Sequence, residues 1–346
     1  MGFEIALTNV AIALLYLLPG FVLQKAKRLR AEHLSGLSSL LVFVCAPCMI
    51  ISSFMQLEYS GEVFANMGLF FGVTFVLQAV FIFIIYLLTK RIKFKAKNKK
   101  SEPIAQLNGV LSEQNGENSC EQKGENLEQA KSKNKNAIIA IASISGNVGF
   151  FGLPLIKALF PNNPEVACYS CTFTLSMNIL MYTVGIFILT GDKKYVSLKK
   201  ALINPATIGM IIALPLFIFG LGKYLPQALT DCAQMLGKLT TPLCMIILGA
   251  RLATMSFKNV FLSKTAYLVC LVKLIIFPLI CYACVYFLPI AYTFKASILI
   301  LSATPCASMV LNLAEIYKAQ PQNAANSALL SNLLCILTLP LITLLV

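Results

Sequence analysis

Four asparagines, Asn147, Asn178, Asn312 and Asn332, lie inside long apolar runs. A buried amide in such a run needs a partner. Its NH2 donates well to a carboxylate, and its oxygen accepts a hydrogen bond or ligates a cation. For Asn178 and Asn332, bonding between helices serves as well as ligand binding. Asn147 differs because of its surroundings, Ser143-Ile144-Ser145-Gly146-Asn147-Val148-Gly149-Phe150-Phe151-Gly152-Leu153-Pro154. Three glycines, a proline and an asparagine within nine residues make a poor continuous helix. Packing through small residues accounts for Gly149 and Gly152 but not for Asn147.

A second stretch is built to break in the same way, Ser302-Ala303-Thr304-Pro305-Cys306-Ala307-Ser308. Pro305 cannot donate a hydrogen bond and clashes with the carbonyl one turn back. Taken singly, it reads as an ordinary proline kink. Taken with the stretch around Asn147, it predicts two discontinuous helices whose ends face one midplane site, an arrangement suited to binding an anion. Irregular backbone survives in hydrocarbon only where protein or a water-filled cavity receives it. The expected substrate site is therefore Asn147 with Gly146, Gly149, Asn178, Pro305, Asn312 and Asn332.

Two charged residues join this list as coupling or gating groups. Glu315 lies toward the end of its apolar run, where an interfacial carboxylate or a pair with Lys318 is the alternative. Lys273 sits mid-run, before Leu274-Ile275-Ile276-Phe277. An intramembrane lysine is costly and functional by default, although a lysine near a span end also snorkels.

Catalytic sets are missing. The sequence has no H-E-x-x-H and no G-x-x-x-x-G-K-[ST], and its one histidine, His33, falls in a basic loop. Asp192 and Asp231 lie in loops or at span edges, which leaves no paired aspartates for an intramembrane protease. Three C-x-x-C pairs, Cys45/Cys48, Cys168/Cys171 and Cys281/Cys284, fall in or beside apolar runs, where cysteine acts as a small hydrophobe. The expectation is a non-enzyme with no cofactor and no metal site, sodium or proton coupling being left open.

These residues need elements to hold them. The chain has 346 residues, 58% hydrophobic and 12% charged, with a mean hydropathy of +0.79. That is about half the charge of a soluble domain. The apolar runs are long rather than alternating, so the fold class is an all-α integral membrane protein. Ten spans are expected, at roughly 5–24, 34–56, 64–89, 137–160, 166–190, 203–222, 231–250, 264–287, 295–316 and 324–345. Residues 1–100 hold spans one to three, 137–190 hold spans four and five, and 203–346 hold spans six to ten. Residues 101–136 are polar, almost without large apolar side chains, and read as a disordered linker.

The net charge of +14 is sorted by side, so it is not a nucleic-acid signal. Basic clusters follow spans one, three, five and seven, while the intervening loops carry Glu58, Glu62, Glu165 and Asp231. The positive-inside rule makes the basic loops and 101–136 cytoplasmic and both termini external, in the inner (plasma) membrane. Expected partners are a small organic anion and the lipid bilayer, with no nucleic acid, and a homodimer is left open.

Ten spans divide into two sets of five, and five is odd, so the second set enters from the opposite side. Pro47-Cys48-Met49-Ile50-Ile51 is echoed by Pro242-Leu243-Cys244-Met245-Ile246-Ile247, 195 residues later. Leu175-Ser176-Met177-Asn178 is echoed by Leu330-Ser331-Asn332, with the asparagines 154 apart. The two offsets differ by 41, close to the size of the polar insert between the first-half motifs. An inverted repeat is the expected plan.

The chain resembles the auxin efflux carrier family, which includes the plant PIN-FORMED carriers and bacterial permeases annotated for malate or malonate. The resemblance rests on Gly146-Asn147-Val148-Gly149 through Pro154, Asn204-Pro205, Thr241-Pro242-Leu243 through Gly249, Ala303-Thr304-Pro305 through Glu315, and Leu339-Pro340-Leu341. It covers the chain outside the insert. It implies a fold like that of bile-acid sodium symporters, with spans four and nine crossing at their breaks and an organic anion bound beside the crossing. Asn147 matches the position that holds the substrate carboxylate in plant members, and Pro305 matches a crossover proline. Gly146 stands where plant members carry the other proline, which implies a looser crossing. The implied activity is alternating-access transport of carboxylates. The rival is a membrane sensor using the same pocket, which would need a signalling domain.

Overall fold

A computed structural model describes residues 2–101, 136–254 and 260–346. The expected linker at 101–136 thus lies almost wholly outside the described residues. Among the described residues the structure is helical and holds no strand. Among the described residues, eight helices are long and apolar enough to cross a membrane. They are α1 (Gly2–Lys25), α2 (Glu32–Met55), α3 (Gly61–Thr89), α6 (Val166–Thr190), α7 (Lys193–Ile218), α8 (Gln227–Thr254), α9 (Lys264–Tyr286) and α12 (Pro321–Leu345). Two further apolar runs are interrupted. The first consists of α4 (136–144) and α5 (Val148–Leu159). The second consists of α10 (Tyr292–Ser302) and α11 (Ser308–Ile316).

Proline chemistry shapes several of these helices. A proline cannot bond the carbonyl four residues back, and its ring presses on it. Pro47, Pro154 and Pro278 each follow a wide, π-type turn, at Leu41–Cys45, Val148–Gly152 and Val272–Ile276. The extra residue in each turn moves the crowded carbonyl aside. At Pro154 that carbonyl belongs to Phe150, and Thr241 Oγ1 of α8 donates to it at 2.8 Å.

α4 and α10 are the most enclosed helices. Residues 137–144 and 296–302 are all buried. A helix apolar all round belongs in an interior. They pack with α3, α6 and α9 in one core, where Phe70 stacks on Tyr169 at 4.6 Å and meets Phe294 edge-on at 4.8 Å. The outer helices leave apolar faces open, with Phe43, Phe83 and Ile211 more than half exposed.

α1 and α8 approach closely through glycines. A Cβ on Gly20 would fall on the backbone carbonyl of Ile246, and one on Gly249 on that of Leu17. α7 lies against α2. Outside the apolar layer, Lys223 Nζ donates to Glu58 Oε1 at 2.9 Å, joining the loops after α2 and α7. The ammonium holds the Glu58 carboxyl below its ordinary value.

Candidate functional site

The two interruptions meet. The N–H of Asn147 donates to the carbonyl of Pro305 at 2.7 Å, and the N–H of Ala307 donates to that of Ser145 at 3.1 Å. Gly146 and Cys306 face each other as an isolated antiparallel bridge between these bonds. Each break therefore supplies hydrogen-bonding partners that the other lacks, the condition for irregular backbone in an apolar interior. The remaining amides are also taken. Gly146 N–H donates to Met177 Sδ at 3.2 Å, and Cys306 N–H donates to Ser331 Oγ at 3.0 Å.

Gly146 is required by this approach. A Cβ there would collide with Thr304 Oγ1 and lie 3.1 Å from Lys273 Nζ. The glycine thus gives a tight crossing where its departure from the proline pattern implied a looser one. A residue with a Cβ would force Thr304 aside.

Beside the bridge is a cavity of about 200 Å³. Asn147, Gly146, Gly149, Asn178 and Asn312 line it, all from the sequence-derived set. Asn332 lies on a smaller neighbouring cavity of about 70 Å³, which Asn147 and Asn312 also line. Pro305 contributes its carbonyl to the bridge and is not among the lining residues. The Asn147 amide is held loosely. Its Nδ2 reaches Cys244 Sγ only at 4.0 Å, and Cys244 lines the smaller cavity. Asn332 instead bonds its own helix, Nδ2 to the Ala328 carbonyl at 2.7 Å.

Lys273 is fully buried, so it does not snorkel. Its Nζ donates to the Ser302 carbonyl at 2.7 Å and lies 4.9 Å from the Phe277 ring centre. Ser302 ends α10, where carbonyls lose their helical partners and the dipole is negative. The ammonium therefore sits against the crossing but does not line the amide cavity. Glu315 is exposed and lines a wide cavity of about 650 Å³, with Asn312, Arg251 and Gln322. It makes no ion pair with Lys318; the ion pair among the described residues joins Lys223 and Glu58.

Some residues at the site escaped the sequence reading. Tyr182 and Thr174 of α6 line the 200 Å³ cavity, and Ser308 lines both inner cavities. Arg251 lines the 70 Å³ cavity with Asn147, although by sequence it belonged to a basic span end. The available signal was its spacing, seven residues after Cys244 and thus on one helical face.

A further cavity of about 340 Å³ lies among Asn9, Ser53, Gln56, Lys157 and Gln234. Met49 and Leu153 line both this cavity and the amide-lined one.

Residues 193–343 match the family described as membrane transport protein. Over 337 residues the chain is 24% identical to an uncharacterized transporter of Methanocaldococcus jannaschii, and the alignment covers 96% of each protein. Over residues 193–343 the chain is thus similar to membrane transport proteins, and its long apolar helices support a multi-pass membrane protein.

Proposed function

We propose that this protein is a secondary transporter of small organic anions, carboxylates in particular, working by alternating access at the crossed breaks. The observation that carries the reading is the amide-lined cavity beside the bridge between Gly146 and Cys306. Counting α4–α5 and α10–α11 as two interrupted crossings gives ten spans. An inverted repeat of five and five is supported by the packing, since α1 lies on α8 as α7 lies on α2, the exchange a two-fold relation requires. The two breaks pairing with each other fit the same relation.

In this reading a carboxylate accepts from the Asn147 amide, with Asn178 and Asn312 beside it. Cavities at about 200 Å³ and 340 Å³, parted by Met49 and Leu153, are the two routes to the site. Moving the crossed pair against α1, α2, α7 and α8 opens one route and closes the other.

Lys273 sets the coupling. Its ammonium already holds a carbonyl at the break, where a coupling cation would otherwise bind. Transport is then sodium-independent and driven by the anion gradient or the membrane potential. One charge crossing 100 mV is worth ~2.3 kcal/mol. By charge distribution, the Arg251 and Glu315 side is cytoplasmic in the plasma membrane.

The test is flux of labelled carboxylates into liposomes containing the purified protein, at matched sodium and potassium. Uptake that depends on the protein and on membrane potential is expected. Ligand-dependent stabilisation without any flux would overturn transport and leave a binding protein.

A further inference from the structure

The first part of α7 carries charge and apolar surface that the function above does not use. Lys193–Tyr195 forms a 3₁₀ turn, Leu198–Leu202 a short helix, and Pro205–Ile218 the rest of α7. Lys193, Lys194, Lys199 and Lys200 are all exposed, and none makes an ion pair among the described residues. Asp192, the carboxylate beside them, is held by the turn, its Oδ1 accepting from the Lys194 N–H at 2.9 Å.

The apolar part of the surface comes from the same segment. The short helix packs on α6 with Ala201 buried, and the Ala201 carbonyl accepts from Thr207 Oγ1 at 3.0 Å. Leu198, Leu202, Ile203 and the Tyr195 ring stay about half exposed beside the lysines. Leu198 and Leu202 are one turn apart and share a face. Leucine and tyrosine next to lysine suit a helix lying at a bilayer surface, with apolar groups among acyl chains and ammoniums among headgroups. A zwitterionic headgroup brings no net charge to meet four lysines, whereas an anionic one does.

This surface touches the crossed pair. Tyr195 meets the Tyr317 ring edge-on at 5.6 Å. Tyr317 follows directly on α11, and its N–H donates to the Leu313 carbonyl at 3.0 Å, closing the last turn. The Ser197 N–H donates to the carbonyl of Tyr182, whose residue lines the 200 Å³ cavity, at 3.4 Å.

We propose that residues 193–203 bind anionic lipid headgroups, and that this occupancy is passed through Tyr195 and Tyr317 to α11, making transport depend on lipid charge. The first half stands on the surface alone. The second rests on the alternating-access reading above. A lipid that binds the segment better in one position of α11 shifts the balance toward that position.

The experiment places the full-length protein in nanodiscs of phosphatidylcholine, or of phosphatidylcholine and phosphatidylglycerol in equal parts. The lipid kept on detergent extraction, deuterium exchange of residues 308–317, and carboxylate flux in liposomes of the same two compositions are measured. Wild type should retain phosphatidylglycerol over phosphatidylcholine, exchange more slowly at 308–317 when phosphatidylglycerol is present, and change its flux. Replacing all four lysines with glutamine should bring the two lipids to parity. Those lysines also help set topology, so Lys199→Gln and Lys200→Gln are read singly as well. Each should weaken phosphatidylglycerol by about five-fold, and Lys199→Arg should restore it. Tyr195→Leu should keep the lipid preference and lose the change in exchange. Equal retention of both lipids by wild type, full preference in the single glutamine variants, or displacement of phosphatidylglycerol by inorganic phosphate would overturn the lipid site. Exchange at 308–317 that ignores phosphatidylglycerol in wild type would overturn the link to α11. The expected retention and exchange in a protein without carboxylate flux would overturn transport and its lipid dependence, while the lipid site stands.

Discussion

Asn147 and Pro305 are joined through their backbones, the N–H of Asn147 donating to the Pro305 carbonyl at 2.7 Å. This bond fixes where Asn147 stands and leaves its side chain to the cavity. In the proposed function, structure and recognition are thus divided between two parts of one residue. Asn147→Ala keeps the backbone bond and removes only the amide. It should weaken carboxylate binding by a hydrogen bond to a charged group, ~1.5–3 kcal/mol, or about 10- to 100-fold. The melting temperature should change little, since the amide's contact to Cys244 is long. Calorimetric affinity and thermal unfolding together check this. A large stability loss with unchanged affinity would make the amide structural glue.

Pro305→Ala acts on the break itself. Alanine permits a continuous helix from α10 into α11, with which the bridge to Gly146 competes. The variant should insert and fold, but its transport rate should fall severely. Flux per correctly folded protein, after size-exclusion selection, decides the matter. Wild-type flux would mean that the break does not need the proline.

Thr241 supports the other interrupted run. Its hydroxyl donates to the Phe150 carbonyl, which Pro154 cannot reach. Thr241→Val keeps the shape and removes the donor, leaving a partly buried carbonyl unpaired. The expected cost is ~1–3 kcal/mol, and Thr241→Ser should restore most of it. Chemical or thermal unfolding in detergent provides the measurement.

Gly249 reverses the usual rule for glycine in a helix. Replacing an interior glycine with alanine ordinarily stabilises by ~0.5–1 kcal/mol. Here the added Cβ falls on the backbone carbonyl of Leu17, which is not a movable side-chain end. Gly249→Ala should therefore destabilise by ~1–3 kcal/mol or more, as overpacking does, by forcing α1 from α8. A raised melting temperature would mean that the two helices part easily.

Lys273→Met tests the fixed cation. The methionine roughly matches the volume but leaves the Ser302 carbonyl without its donor. Transport should drop strongly while folding is retained. If sodium then restores transport, a mobile cation has replaced the fixed one. If wild-type transport itself requires sodium, the coupling proposed for Lys273 fails.

The sequence by itself determined the membrane class, the placing of the apolar runs and the two places where helices stop. These depend on local properties. Hydropathy needs only a window of about twenty residues, and Gly146 to Pro154 or Pro305 disfavours helix whatever lies nearby. The asparagines were legible too, because an amide within a span is costly wherever the chain puts it. The tertiary structure alone decided that Ser145–Asn147 and Pro305–Ala307 bond to each other, that Gly146 tightens the crossing, and that Lys273 points inward to the Ser302 carbonyl. It alone turned Arg251 from a span-end charge into a cavity wall. Each of these is a contact between residues far apart in the chain. A hydrogen-bond partner or the direction of a side chain is fixed by which helix packs alongside, and no local pattern of residues carries that.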